Sequence, residues 1–161
     1  MKEDVYKRQE IVSQANEELY ADFTDVNMFA TVFVGQYNQT SHQLTYANAG
    51  HSPVIYRPLN REAQLLEADG TALGVLPTSF SQDHAVTFRP GDMLIIGTDG
   101  LNETQNEQQE MFGYDRLLEL INSVPHLPAE EIGKTLYEAV STFSVGQPQF
   151  DDQTLMVIKG V

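Results

Sequence analysis

The chain has 161 residues, which suits a single domain that buries roughly two-thirds of its unfolded surface. Its 23 acidic and 9 basic residues give a formal charge of −14, a field that repels nucleic-acid backbones and anionic lipid surfaces. It has no cysteine, hence no disulfide and no thiol nucleophile, which suits a cytoplasmic setting, and no apolar stretch approaches the roughly 20 residues that span a bilayer.

The first nine residues, Met1 to Gln9, mix both charge signs without an apolar core, so they read as a leader or junction ahead of a domain covering residues 10–161. Glu10 to Tyr20 then reads as a helix, with Ile11, Ala15 and Leu19, and Val12 beside them, on one face at helical spacing. Met28 to Tyr37 is rich in Phe and Val and is expected to be a strand; after a turn around Asn38 to Ser41, Gln43 to Ala47 pairs back as a hairpin. Pro53 to Arg57 and Leu65-Leu66 are further strand segments. Ala85 to Phe88 and Met93 to Gly97 flank the turn Arg89-Pro90-Gly91-Asp92, where Asp92 fits a turn cap better than a metal ligand. Two helices follow, Tyr114 to Ser123 and Pro128 to Phe143; Pro128 suits a first turn, and Glu130 and Glu131 complement the dipole there. Thr154 to Lys159 closes the chain as a strand. Strands, then helices, then a last strand give an α+β order that fits two packed sheets flanked by helices.

Chemistry concentrates at two strand ends. The apolar run Met93 to Ile96 leads into Thr98-Asp99-Gly100, and Asp151-Asp152 stands directly before the final strand. If Met93–Gly97 and Leu155–Ile158 are neighbours, their terminal carboxylates converge, and crowded carboxylates favour a hard divalent cation between them. The plain reading stands beside it: Asp-Gly is a common turn dipeptide, and Asp151-Asp152 can be an Asx-turn or a charge guarding a strand edge.

The order of the segments is more specific. Met28-Phe-Ala-Thr-Val-Phe33, Asn48-Ala-Gly-His51, Gly70-Thr-Ala-Leu-Gly-Val75, Arg89-Pro-Gly-Asp-Met-Leu94, Thr98-Asp-Gly-Leu101, Glu110-Met-Phe-Gly113 and Asp151-Asp-Gln-Thr154 follow one another. Together they closely resemble the SpoIIE/RsbU-type branch of the PPM (protein phosphatase 2C-like) serine/threonine phosphatases, over nearly all of Glu10 to Val161. The resemblance implies an α-β-β-α sandwich, two packed, mainly antiparallel sheets flanked by helices, and a bacterial signalling role. It also implies a mechanism in which water activated by two Mn²⁺ or Mg²⁺ ions attacks a phosphoserine or phosphothreonine phosphorus in line. Asp99 and Asp151 match the family's downstream metal ligands, Gly100 the turn that permits the geometry, and Asp152 a supporting position where the wider family often has Asn. The substrate it implies is a regulatory phosphoprotein resembling an anti-anti-sigma factor, and upstream sensor or regulatory domains accompany this branch.

Two further acidic motifs of that family, expected upstream, have no counterpart in residues 1–30, where Asp4, Asp22 and Asp25 lack a strand–glycine context. The chain is therefore expected to be the C-terminal two-thirds of a phosphatase domain, with an incomplete two-metal site and little turnover alone. A phosphatase-like regulatory or partner-binding module is the competing expectation. His51 is expected to fix a turn rather than transfer protons, and His42, His84 and His126 to lie on the surface. Asp69-Gly70 reads as a plain turn, Met111-Phe112-Gly113 as a packing wedge, and Asn102 to Glu110 as either a solvated loop or a substrate-facing flap.

Overall fold

The computed structural model describes residues 7–161, so residues 1–6 of the expected leader lie outside it. Its elements fall into two compact units.

The first unit comprises residues 7–52 and 67–87. It holds helix α1 (Arg8–Val26) and an antiparallel sheet ordered β1 (Val32–Asn38), β2 (Gln43–Ala49), β5 (His84–Thr87). The register Val32↔Ala49 and Val34↔Ala47 puts alternate residues of both strands on one face. There they pack with Val12, Ala15 and Phe23 of α1 and with Leu73.

The helix is longer than expected, and its buried face differs. Arg8 and Gln9, assigned above to a leader, form its first turn, because Asp83 grips both: it pairs with Arg8 Nη2 at 2.7 Å and accepts the Gln9 N–H at 2.9 Å. Burial pushes the Asp83 pKa up, but Arg8 and these donors outweigh it, so the carboxyl sits below its ordinary value. The buried stripe is Arg8, Val12 and Asn16, four residues apart, while Ile11 and Leu19 are exposed. Asn16 can be buried because both its polar atoms are satisfied: Nδ2 donates to the Leu76 and Pro77 carbonyls, and Oδ1 accepts the Gly74 N–H. At the other end Asn27 adopts the left-handed conformation (φ 54°), and its N–H and that of Met28 satisfy the Thr24 and Phe23 carbonyls. That turn carries Met28 and Phe29 into solvent, so β1 begins at Val32 rather than Met28.

The second unit comprises residues 53–66 and 88–161. Its antiparallel sheet is ordered β4 (Gln64–Leu66), β3 (Val54–Arg57), β6 (Met93–Gly97), β7 (Leu155–Lys159). Helices α2 (Gly113–Ser123) and α3 (Ala129–Phe143) complete it, α3 starting directly after Pro128. Ile55, Ile95 and Val157 stand in register across the central strands and join Leu117 and Ile121 of α2 and Ile132, Leu136 and Val140 of α3 in the core. Phe112 wedges into that core edge-on to Phe143, ring centroids 5.3 Å apart. The chain is thus α+β with two antiparallel sheets and helices. Among the described residues, no helix is long and apolar enough to cross a membrane.

Candidate functional site

The site follows from one strand pair. Met93, Leu94 and Ile95 are almost completely buried, which fixes β6 in the middle of its sheet. Pairing of β6 with β7 is antiparallel with Gly97 opposite Leu155, so the end of one strand meets the start of the other. Thr98-Asp99-Gly100 and Asp151-Asp152 are therefore brought side by side, as the strand-neighbour expectation required.

Thr98 clasps them. Its N–H donates to the Thr154 carbonyl at 3.1 Å, and its hydroxyl donates to the Asp152 carbonyl at 2.7 Å and accepts the Thr154 N–H at 2.9 Å. Gly100 is buried against the same segment, and a Cβ there would meet the Asp152 carbonyl oxygen at 2.5 Å. Leu101, in the core, holds the turn down from below. A second clasp involves Thr104, whose hydroxyl donates to the Gly100 carbonyl at 2.6 Å and accepts from Gln153 Nε2 at 2.8 Å. Sequence reasoning gave Thr98 no role beyond its motif and overlooked Thr104 and Gln153. Their signal was a hydroxyl or amide side chain adjoining, or a few residues from, each acidic turn.

The Asp99 and Asp151 side chains are exposed. Asp151 Oδ1 accepts the Asp152 N–H at 2.7 Å, and Gln149 Nε2 donates to the Asp151 carbonyl at 2.8 Å, which shapes that turn. Among the described residues the ion pairs are Arg8–Asp83, His84–Asp69 and Lys134–Glu130, so no cationic side chain neutralises either site carboxylate. Lys159, at the far end of β7, donates to the Pro125 and Leu127 carbonyls instead. Two exposed, hard oxygen donors without a counter-charge fit a divalent cation such as Mn²⁺ or Mg²⁺. They fit it as part of a shell, since no group of three metal-ligating side chains gathers among the described residues.

The other candidates occupy structural positions. Asp92 is buried at the start of β6, where Oδ1 accepts the Leu59 N–H at 2.7 Å and Oδ2 accepts the Arg89 N–H at 2.8 Å and the Tyr56 hydroxyl at 3.3 Å. It caps the turn, as its sequence context suggested. The His51 N–H donates to Asn48 Oδ1 at 2.9 Å, and its Nδ1 lies 3.3 Å from the Thr31 hydroxyl, a turn-fixing arrangement. His84 is more than a surface residue: on β5, its Nε2 lies 2.7 Å from Asp69 Oδ2, so Asp69 ties its turn to that strand. His42 lies 3.0 Å from the Tyr37 hydroxyl, and His126 is exposed. The 102–113 segment is a closed loop, bonded from Phe112 N–H to the Thr104 carbonyl and from Gly113 N–H to the Asn102 carbonyl, both at 2.8 Å.

Comparison with known proteins agrees with this architecture. The family described as Stage II sporulation protein E (SpoIIE) matches residues 1–160. Phosphoserine phosphatase RsbU of Bacillus subtilis is 32% identical over 136 residues, covering 84% of this chain and 40% of RsbU. The chain spans between 23% and 40% of the length of the curated relatives it matches. Among solved structures, the SiaA-PP2C domain of Pseudomonas aeruginosa superposes over 95% of this chain and 60% of its own, with a TM-score of 0.81 at 18% identity. The manganese-presoaked phosphatase domain of SpoIIE from Bacillus subtilis superposes over 98% of this chain and 68% of its own, with a TM-score of 0.66 at 17% identity. The chain belongs to the SpoIIE/RsbU family of PPM-type phosphatase domains.

Proposed function

We propose that this chain carries the downstream part of the catalytic centre of a metal-dependent phosphoprotein phosphatase that cleaves phosphoserine or phosphothreonine in a regulatory protein. The observation that carries this reading is the clasp between the Thr98–Gly100 and Asp151–Asp152 turns, which brings together two turns that each carry an exposed carboxylate with no ion pair among the described residues, in a member of this family. Asp99 and Asp151 would hold the cation, either Mn²⁺ or Mg²⁺. Gly100 permits the close approach, and Asp152 supports it through the carbonyl that Thr98 holds. When bound, the cation supplies a Lewis acid that lowers the pKa of water toward neutrality and offsets phosphoryl charge. The residues of the chain orient and anchor: Leu101 and Phe112 seat the loop after Asp99 in the core, so the turn that carries Asp99 is held from below. The name of RsbU supports phosphoserine as the substrate class, and an anti-anti-sigma-factor-like protein in the cytoplasm is the partner we propose.

With only two ligands among the described residues, affinity is expected to be weak, because Mg²⁺ and Mn²⁺ give up water reluctantly to so few anionic donors. That same incompleteness favours the second reading, a regulatory or partner-binding module. Calorimetric titration of Mn²⁺ into the chain separates the two. Weak binding that Asp99→Asn and Asp151→Asn each remove is expected of the phosphatase reading. Binding that neither substitution alters, or none at all, favours the module.

A further inference from the structure

A cleft of about 550 Å³ opens beside Asp151, between the loop that follows Asp99, the end of α3 and the segment before β7. Its rim carries large apolar side chains in solvent: Phe150 is 75% exposed and Val145 68%, with Tyr137 and Met111 also more than half exposed. Their concentration in one concavity next to a candidate site marks a contact surface rather than scattered exposure. The charged side chains that line it have one sign. Glu103 and Asp151 line the cleft, no lysine, arginine or histidine among the described residues does, and the Glu107 carboxylate stands over Gly146, 3.2 Å from where a Cβ would sit.

This polarity poses a problem for the proposed substrate. A phosphoryl dianion approaching a chain of net charge −14 meets a repulsive overall field, which a bound cation reverses locally. The repulsion is offset if the substrate carries positive charge beside its phosphate and sets it against the acidic cleft. Building on the phosphatase reading, we infer that the cleft docks the polypeptide segment flanking the phosphorylated residue, and that this segment carries an apolar side chain with neighbouring lysine or arginine. The apolar residue packs on Phe150 and Val145, and the cationic ones face Glu103 and Glu107. The acidic lining disfavours a membrane or nucleic acid as occupant.

Fluorescence anisotropy with this chain and a labelled, unphosphorylated peptide bearing a leucine between arginines tests the inference. The probe has no phosphate and no cation is added, so its outcome is separate from the Mn²⁺ titration that tests the phosphatase reading. Saturable binding is expected, weakened about fivefold or more by Phe150→Ala, which removes an exposed side chain at no cost to the core. Replacing Glu103 and Glu107 by Gln should weaken binding and flatten its salt dependence. Exchanging the arginines of the peptide for glutamates should abolish it. Absence of saturable binding, equal binding of both peptides, or an unaltered Phe150→Ala in a chain with native circular dichroism overturns the inference.

Discussion

Gly100 and Asp152 are packed so closely that any β-carbon at position 100 would stand 2.5 Å from the Asp152 carbonyl oxygen. Neither partner can yield freely, since the obstacle is backbone and the Thr98 hydroxyl holds that same carbonyl. Gly100→Ala should therefore push the acidic turns apart and cost ~1–3 kcal/mol, the usual range for overpacking. Urea unfolding checks the stability term, and the Mn²⁺ isotherm should weaken with it. A wild-type urea midpoint would show that the turns are not held at that spacing.

Asp99→Asn and Asp151→Asn keep the shape of each side chain while removing its charge. In the wild-type chain, Mn²⁺ should raise the melting temperature by mass action, and in each variant that shift should vanish. In EDTA both variants should melt at or slightly above the wild-type temperature, because the adjoining acidic turns then carry one negative charge fewer. Thermal melts with and without Mn²⁺ decide it; a shift retained in both variants removes these residues from the site.

His51→Ala should cost about 1 kcal/mol or less, the scale of a single exposed hydrogen bond such as that to Thr31. It should leave Mn²⁺ binding unchanged at about pH 6 and about pH 8, on either side of an ordinary imidazole pKa. Calorimetry at both values is the check, and a pH-dependent loss of binding would give this histidine a place in the chemistry.

Alkaline pH should report on Tyr56. Burial, and then the neighbouring Asp92 carboxylate, push its pKa from 10.0 up to about 12. A raised folded-state value means that the folded chain holds the phenolic proton more tightly than the unfolded chain does. The stability it contributes is complete below about pH 10 and is lost as pH rises through about 12. Tyr56→Phe should remove that part of the alkaline decline, measured as urea midpoints against pH. Identical slopes in the two proteins would contradict it.

What the sequence made legible is what periodicity and punctuation can encode. Met93 to Gly97 was readable as a buried strand because apolar residues run unbroken between a Pro-Gly and an Asp-Gly turn, and its observed bounds are the expected ones. The family was readable because ordered short motifs survive without any knowledge of packing. The face of α1 was not readable, because its buried stripe includes Arg8 and Asn16, made tolerable by Gln36 and Asp83 at Arg8 and by the Leu76, Pro77 and Gly74 backbone groups at Asn16, partners 28 to 75 residues along the chain. Asp69 was underread for a similar reason: its partner His84 lies on a strand fifteen residues away, and pairing across that distance leaves no local pattern. Thr98, Thr104 and Gln153 escaped notice because a clasp is a relation between segments, whereas sequence spacing describes one segment at a time.

Strand β6 is fastened at both ends, by the three donors that Asp92 accepts at its start and by the Thr98 hydroxyl at its finish. Its five residues make it a bar about 17 Å long at roughly 3.4 Å per residue. Such a bar has notches rather than a sliding scale, because a one-residue slip turns every buried side chain to the opposite face. Asp99 cannot drift by fractions of an ångström when the distant fastening is loosened; it either keeps its notch or loses it. Damage at Asp92 would consequently surface at Asp99 as two coexisting populations, visible as doubled amide resonances beyond the strand, instead of a graded displacement.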